Sequence, residues 1–553
     1  MEEPRHINIA GYLDELGVSQ GDTPAILFPD SRDGEGRTQY IQLSFAELSE
    51  ESTILARGLR AMGLKQGDRA ILMVKPSLDF FALTFALLKA GVVPVLIDPG
   101  IGLKHLKACI GEAEPRAFIG ITKAVLAKKL LGWGRQSIEY LVTVGPRLLW
   151  GGATLKSVRK AGLESEEAIR LDQGLDEPAA IAFTSGSTGV PKGVVYTHGI
   201  FNAQLAMIRD TYEIVPGEVD LPTFPPFALF DPALGMTTII PEMDPTKPAE
   251  VEPEKILEAI QRFEVTNMFG SPALVDRVGR YIEEKGVKLP SLKRVISAGA
   301  PVPAKALRRF SSGLNEESQI FTPYGATESL PVCSVGSHEV LRKDIQERSS
   351  QGAGICVGKA VEGMEVAVIG ISDEVIEEWS DALLAPQGQV GEIVVKGGNV
   401  TQLYFNRGSS TALAKIKDGE TCRHRMGDLG YFDDEGLLWF CGRKAHRVQT
   451  EENLLFSVKT EVVFNNHPAV YRTALVGVGE PEAKEPILVV ELEKENQSKA
   501  KQVEKELLEL AASYPETQEI KRMLFHPSLP VDIRHNAKIF REKLALWAQG
   551  EIS

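Results

Sequence analysis

An apolar run, Ala179-Ala180-Ile181-Ala182-Phe183, passes without a break into Thr184-Ser185-Gly186-Ser187-Thr188-Gly189-Val190-Pro191-Lys192-Gly193. No other stretch constrains the fold as tightly. The run reads as a buried strand. A glycine-rich loop on the end of such a strand can turn backbone N–H groups toward an anion, because glycine puts no Cβ in the way. The hydroxyls of Thr184, Ser185, Ser187 and Thr188 add donors, and Lys192 adds charge. Strand followed by glycine loop is the usual context of a phosphate cradle. The loop is not of the Walker A type, which needs Ser or Thr directly after Gly-Lys; here Pro191 precedes Lys192 and Gly193 follows it.

The flanking sequence alternates helix and strand patterns. Ser44 and Glu47 stand three apart, as a capping box requires, and predict a helix through about Leu59. An apolar strand follows over Ala70–Val74, a helix over Leu78–Lys89 and a second strand over Val92–Ile97. The rhythm recurs between 265 and 300. This βαβ order predicts an α/β fold with parallel sheets covered by helices. From 354 to 440 the pattern changes to short alternating strands, Glu365–Ile369, Gly391–Val395 and Gly436–Phe440, which predict an antiparallel subdomain. Beyond Arg443 a smaller α+β unit is expected, with strands at Thr473–Val478 and Ile487–Leu492 and a charged helix from Ser498 to about Ser513. Two domains are therefore expected, 1–443 and 444–553.

Composition excludes several classes. The 553 residues are too many for one core. A formal charge of −14 argues against a general nucleic-acid surface. The five cysteines form no C-x-x-C pair, the pattern of free thiols in a reducing compartment. The polar first residues do not read as a signal peptide, so a cytoplasmic location is expected. The most apolar stretch, 80–97, is broken by Lys89 and Pro94 and reads as buried helix, turn and strand, not as a membrane span. Histidine spacing suggests no metal site. No G-x-S-x-G elbow supports a serine hydrolase. Residues 128–152 mix apolar and basic side chains. They read either as packing under a loop or as a lid or interfacial segment for a greasy substrate, which leaves peripheral membrane contact open.

Further motifs follow the cradle in order: Gly299-Ala300-Pro301, Tyr324-Gly325-Ala326-Thr327-Glu328, Gly427-Asp428-Leu429-Gly430, Gly442-Arg443 and Asn536-Ala537-Lys538. With these motifs the chain resembles the ANL superfamily of adenylate-forming enzymes over nearly its whole length. The resemblance implies a large N-terminal domain and a small mobile C-terminal one. It implies that Thr184–Lys192, including Gly186 and Gly189, hold ATP phosphates. Tyr324, Gly325 and Ala326 would border adenine, with Gly299, Ala300 and Pro301 on the other side. Thr327 would touch the α-phosphate. Glu328 and Thr184 would hold Mg²⁺, Asp428 and Arg443 the ribose, and Lys538 the reacting carboxylate. The residue types suit the chemistry, since a carboxylate attacking a phosphate must have like charges offset.

The chain departs from the commoner CoA-ligase wording. Counted without gaps, a hinge Asp becomes Ala445 and a loop glycine becomes Glu452, which adds bulk and negative charge where a phosphate-rich thiol cofactor would pass. The wording of residues 230–235, 445–448 and 531–538 looks like the β-lactone synthetases of bacterial long-chain olefin biosynthesis. That resemblance implies adenylation of a long-chain 2-alkyl-3-hydroxy acid, closure by its own hydroxyl, and release of AMP and pyrophosphate. It leaves room for a complex with other olefin-pathway enzymes. The alternatives are a long-chain acyl-CoA ligase, an acyl-AMP ligase, or a non-catalytic nucleotide sensor. Asp231 and His198 are the candidate bases for ring closure; Asp231 could equally cap a helix ahead of Pro232.

Overall fold

The computed structural model describes residues 4–183, 191–531 and 539–552. Two seven-stranded sheets dominate the first part of the chain. The first runs Ala153–Thr154, Tyr140–Val144, Ala117–Ile121, Arg69–Met73, Val93–Leu96, Pro178–Phe183, Gly193–Thr197. All are parallel except the last, which folds back on Pro178–Phe183. The second runs Gln319–Phe321, Arg294–Ile296, Asn267–Phe269, Val219–Pro222, Thr237–Ile239, Pro24–Arg32, Thr38–Ser44, and again only the last is antiparallel.

The local signals explain the helices. Ser44 accepts a hydrogen bond from the Glu47 N–H and the Glu47 carboxylate accepts one from the Ser44 N–H, which starts the helix Phe45–Ala61. Past its first turn residues Leu78 and Asp79, the helix Leu78–Lys89 is mostly apolar and every residue from Phe80 on is buried. Phe81, Phe85 and Leu87 are fully covered, each contributing roughly 1.5–3 kcal/mol of burial. Lys89 shares that burial because its ammonium reaches Asp14, the Ser49 carbonyl and Thr53.

A third, eight-stranded sheet is antiparallel. It includes the expected strands Met364–Ile369, Gly391–Gly397 and Leu438–Arg443, but starts earlier than expected, at Tyr324. Gly436 and Leu437 fall outside the strand predicted to contain them, in the turn before it.

Past Arg443 the chain builds a separate three-stranded sheet, Val470–Val478, Glu485–Leu492 and Arg522–Phe525. Its core gathers Phe464, Leu475, Leu488 and Leu507. The charged helix is shorter than expected, Ala500–Ala511, because Lys494–Lys499 winds as a 3₁₀ segment ahead of it. In the 128–152 segment Trp133 is buried, whereas Leu130, Leu148 and Leu149 stand exposed. No helix among the described residues is long and apolar enough to cross a membrane.

Candidate active site

The cradle residues Thr184, Ser185, Gly186, Ser187, Thr188 and Gly189 lie outside the described residues, as does Lys538. Both stems of the cradle are described. Phe183 pairs with Gly193, so the loop leaves one strand and returns on its antiparallel neighbour. The Phe405 N–H donates to the Gly193 carbonyl (2.7 Å) and Val194 bridges to Tyr404. The Lys192 ammonium sits 4.8 Å from the centre of the Tyr404 ring, a cation–π geometry.

Tyr404 also reaches the second motif. Its hydroxyl donates to Glu328 Oε1 at 2.6 Å. Residues 324–328 form a hairpin: Tyr324–Ala326 pairs with Ser329–Ser334, with Ala326 opposite Ser329, so Thr327 and Glu328 occupy its two-residue turn. The Glu328 carbonyl accepts from Thr401 and the Thr327 carbonyl from the Tyr196 hydroxyl, which fixes the turn from two sides. Burial and the nearby Glu328 charge hold the Tyr404 hydroxyl protonated, as a donor to that carboxylate.

The third motif meets the second. Asp428 lies opposite Arg443 on adjacent strands. Its carboxylate accepts from the Tyr324 hydroxyl at 2.7 Å and pairs with the Arg443 guanidinium at 3.2 Å. The Asp428 charge raises Arg443 further, and burial followed by that same charge keeps Tyr324 a phenol. Gly299, Ala300 and Pro301 follow the strand Arg294–Ile296, whose parallel neighbour Gln319–Phe321 leads into Tyr324. The cradle, Gly299–Pro301 and the lead into Tyr324 leave the carboxyl ends of parallel strands, where α/β sheets place their ligands, while Asp428 and Arg443 come from the antiparallel sheet.

Gly442 marks the joint with the C-terminal unit. Its φ of +128° suits glycine, and a Cβ there would meet Ser457 Oγ at 2.4 Å. Just beyond it, Ala445 and Glu452 are exposed.

The two candidate bases, His198 and Asp231, stand in different surroundings. His198 begins the helix His198–Thr211 at the far end of the cradle hairpin, where Pro178 pairs with Thr197. The intervening strand spans six residues, roughly 16–20 Å at about 3.3 Å per residue. The ring is buried and its pKa is pushed down to about 4 by that burial. Asp231 is the first residue of the helix Asp231–Leu234, but Phe230 holds the cap position and no side chain caps it. The Asp231 carboxyl turns instead onto the sheet, where it accepts from Thr238 Oγ1 at 2.6 Å and lies against Asp220. Asp220 in turn accepts from Asn267. Burial raises the pKa of both carboxyls, and Asp220 adds to the rise at Asp231.

Sequence reading missed Tyr404, Tyr196 and Asp220. Each acts across more than a hundred residues or through a strand register, with no motif of its own.

Residues 17–405 match the family described as AMP-binding enzyme. This chain belongs to the AMP-binding enzymes. Among members of the family, an olefin β-lactone synthetase of Xanthomonas campestris pv. campestris is 48% identical over 98% of this chain and 97% of its own length. A second, from Stenotrophomonas maltophilia, is 48% identical over 99% of each. An amide bond synthetase from Marinactinospora thermotolerans shares the fold, with a TM-score of 0.77 over 98% of this chain and 99% of that one at 21% identity.

Proposed function

We infer that this AMP-binding enzyme uses ATP to activate a long-chain 2-alkyl-3-hydroxy fatty acid and closes it to a β-lactone. The observation that carries the reading of the site is the pair of links Lys192–Tyr404–Glu328 and Tyr324–Asp428–Arg443. They join the stem of the phosphate loop, the hairpin turn and the buried carboxylate into one cluster.

In the first step a carboxylate oxygen of the acid attacks the α-phosphorus of ATP, and the bond to pyrophosphate breaks. Thr184–Lys192 hold the phosphates, and Thr327 at the hairpin turn faces the α-phosphate. Lys538 offsets the two anions that must meet. Tyr324 and Gly299–Pro301 border the base. Asp428, paired with Arg443, accepts from the ribose hydroxyls. The Glu328 carboxylate is a hard oxygen donor of the kind Mg²⁺ takes, with the Thr184 hydroxyl as a second ligand; the ion would neutralise phosphate charge. In the second step the β-hydroxyl oxygen attacks the acyl carbon, the bond to AMP breaks and the hydroxyl proton leaves with the departing AMP. With Asp231 and His198 placed as they are, no side chain is assigned as that base. The closure is intramolecular and needs no acceptor cofactor. This fits Ala445 and Glu452 on the exposed segment after the joint. The units 1–443 and 444–553 act as a body and a rotating cover that brings Lys538 in.

The test is product analysis by NMR with a 2-alkyl-3-hydroxy acid, ATP and Mg²⁺, with and without CoA. Lactone, AMP and pyrophosphate are expected in equal amounts, unaffected by CoA. Acyl-CoA forming at the rate of ATP turnover would replace this reading with a CoA ligase.

A further inference from the structure

The second sheet carries more at its carboxyl edge than the adenine-side loop. Two strands along from Arg294–Ile296, roughly 10 Å by strand spacing, the edge opens into a cavity of about 620 Å³. That volume lies within the range of small-molecule pockets. Its walls come from the ends of the strands Val219–Pro222, Thr237–Ile239 and Pro24–Arg32, and from Lys75 and Pro76 beyond Arg69–Met73 of the first sheet. The void therefore lies between the two sheets, on the same edge as the site.

The wall chemistry selects the occupant. Six prolines line it: Pro29, Pro76, Pro222, Pro225, Pro241 and Pro245. A proline offers apolar ring surface and no N–H, so these six positions add apolar surface and no backbone donor. Phe28, Ile240 and Met243 add apolar surface. The Thr223 hydroxyl donates to the Phe269 carbonyl, and Glu242 is occupied by Arg32, Thr38 and Lys255. Asp244 accepts from Thr246, while Asp30, Ser31 and Lys75 line the cavity as exposed residues.

The 3₁₀ segment Pro225–Phe230 divides this cavity from the hairpin turn. Pro225 faces the cavity. At the other end Phe230 packs edge-on against Phe201, which stacks on Tyr196, the residue that donates to the Thr327 carbonyl. An acid with one hydrocarbon chain needs one such side. An acid branched at C2 has two chains diverging within a bond of the reacting carboxyl, and this partition has an apolar face on each side. Resting on the substrate class given above, we propose that the proline-walled cavity takes one of the two hydrocarbon arms, while the other runs along Phe201 and Phe230.

Pyrophosphate release is measured for three acids: the two-armed 2-alkyl-3-hydroxy acid, its C2-methyl analogue and its analogue shortened at C3. The Met243→Trp and Ser31→Trp variants fill the cavity from the ends of two neighbouring strands. Each is expected to lower kcat/KM for the two-armed acid at least tenfold relative to one of the two shortened acids. Equal sensitivity across all three acids, or none, overturns the assignment. A second measurement uses the unaltered enzyme, photolabelled with two-armed acids carrying a diazirine at the tip of either arm. One probe is expected to label residues 28–32 or 240–246. Labels from both probes confined to the Phe201–Phe230 side overturn it as well. Lactone is scored separately by NMR, so labelling without lactone sinks the ring-closure reading and leaves the cavity assignment standing.

Discussion

Two aspartates, Asp428 and Asp231, are buried to almost the same degree, with 3% of each exposed, yet their surroundings differ. Asp428 has a guanidinium at 3.2 Å and a phenol donor at 2.7 Å. Asp231 has a hydroxyl donor at 2.6 Å and, beside it, another carboxyl. Burial disfavours charge in both places. At Asp428 the guanidinium offsets that cost. At Asp231 the second acid adds to it, and the pair retains a proton. Burial therefore does not tell a binding carboxylate from a structural one; the sign of its nearest charge does.

The comparison breaks most visibly where charge is required. Lys538→Ala, which removes the cation assigned to the reacting anions, should slow adenylate formation on the order of 10²–10³-fold. Pyrophosphate release near the wild-type rate would end that assignment. Asp428→Ala should weaken ATP binding by about 10–100-fold, the range for hydrogen bonds to a charged group, and leave hydroxy-acid binding unchanged. Calorimetry with both ligands tests this, and an unchanged ATP affinity would place Asp428 with the structural carboxyls.

On the other side of the comparison effects are smaller. Asp231→Asn should support both half-reactions within a few-fold of wild type, because an amide keeps an acceptor for Thr238 and loses only a charge the site suppresses. Build-up of acyl-AMP in that variant would restore Asp231 as the base. The smallest effect concerns pH. Burial pushes Asp220 up to about 7, so the folded protein keeps a proton that the unfolded chain gives up near the ordinary carboxylate value of about 4. The unfolded state then binds fewer protons, and stability falls as pH rises through that window. Asp220→Asn should flatten the fall in Tm between those values. An unaltered slope would show that the pair is not the source.

The α/β class, the helix Leu78–Lys89 and the Ser44–Glu47 cap were legible because each rests on local spacing. Asp428 and Arg443 were legible by motif, and the structure sets them side by side through strand register. The place of His198 was not legible from its nearness in sequence to the phosphate loop. A strand that doubles back carries its last residue to the opposite end of the hairpin. The partners of Asp231 were hidden for a related reason. Its aromatic neighbours suggested a ligand-facing position, whereas Thr238 and Asp220, brought over by sheet pairing, turn the side chain inward. Tyr404 had no local signature, since its meaning comes from Lys192 and Glu328, more than seventy residues away in either case.

Arg443 ends its strand, and the next residues wind into the turn Lys444–His446 that opens the C-terminal unit. Its guanidinium and a ribose would draw on the same Asp428 oxygens. On the proposed ribose role, occupancy of the nucleotide site and the set of the chain at the joint would be thermodynamically linked. Linkage is reciprocal: the factor by which nucleotide shifts the joint toward one orientation equals the factor by which that orientation tightens nucleotide binding. A reporter fixed at residue 445 would therefore read nucleotide affinity without touching the nucleotide.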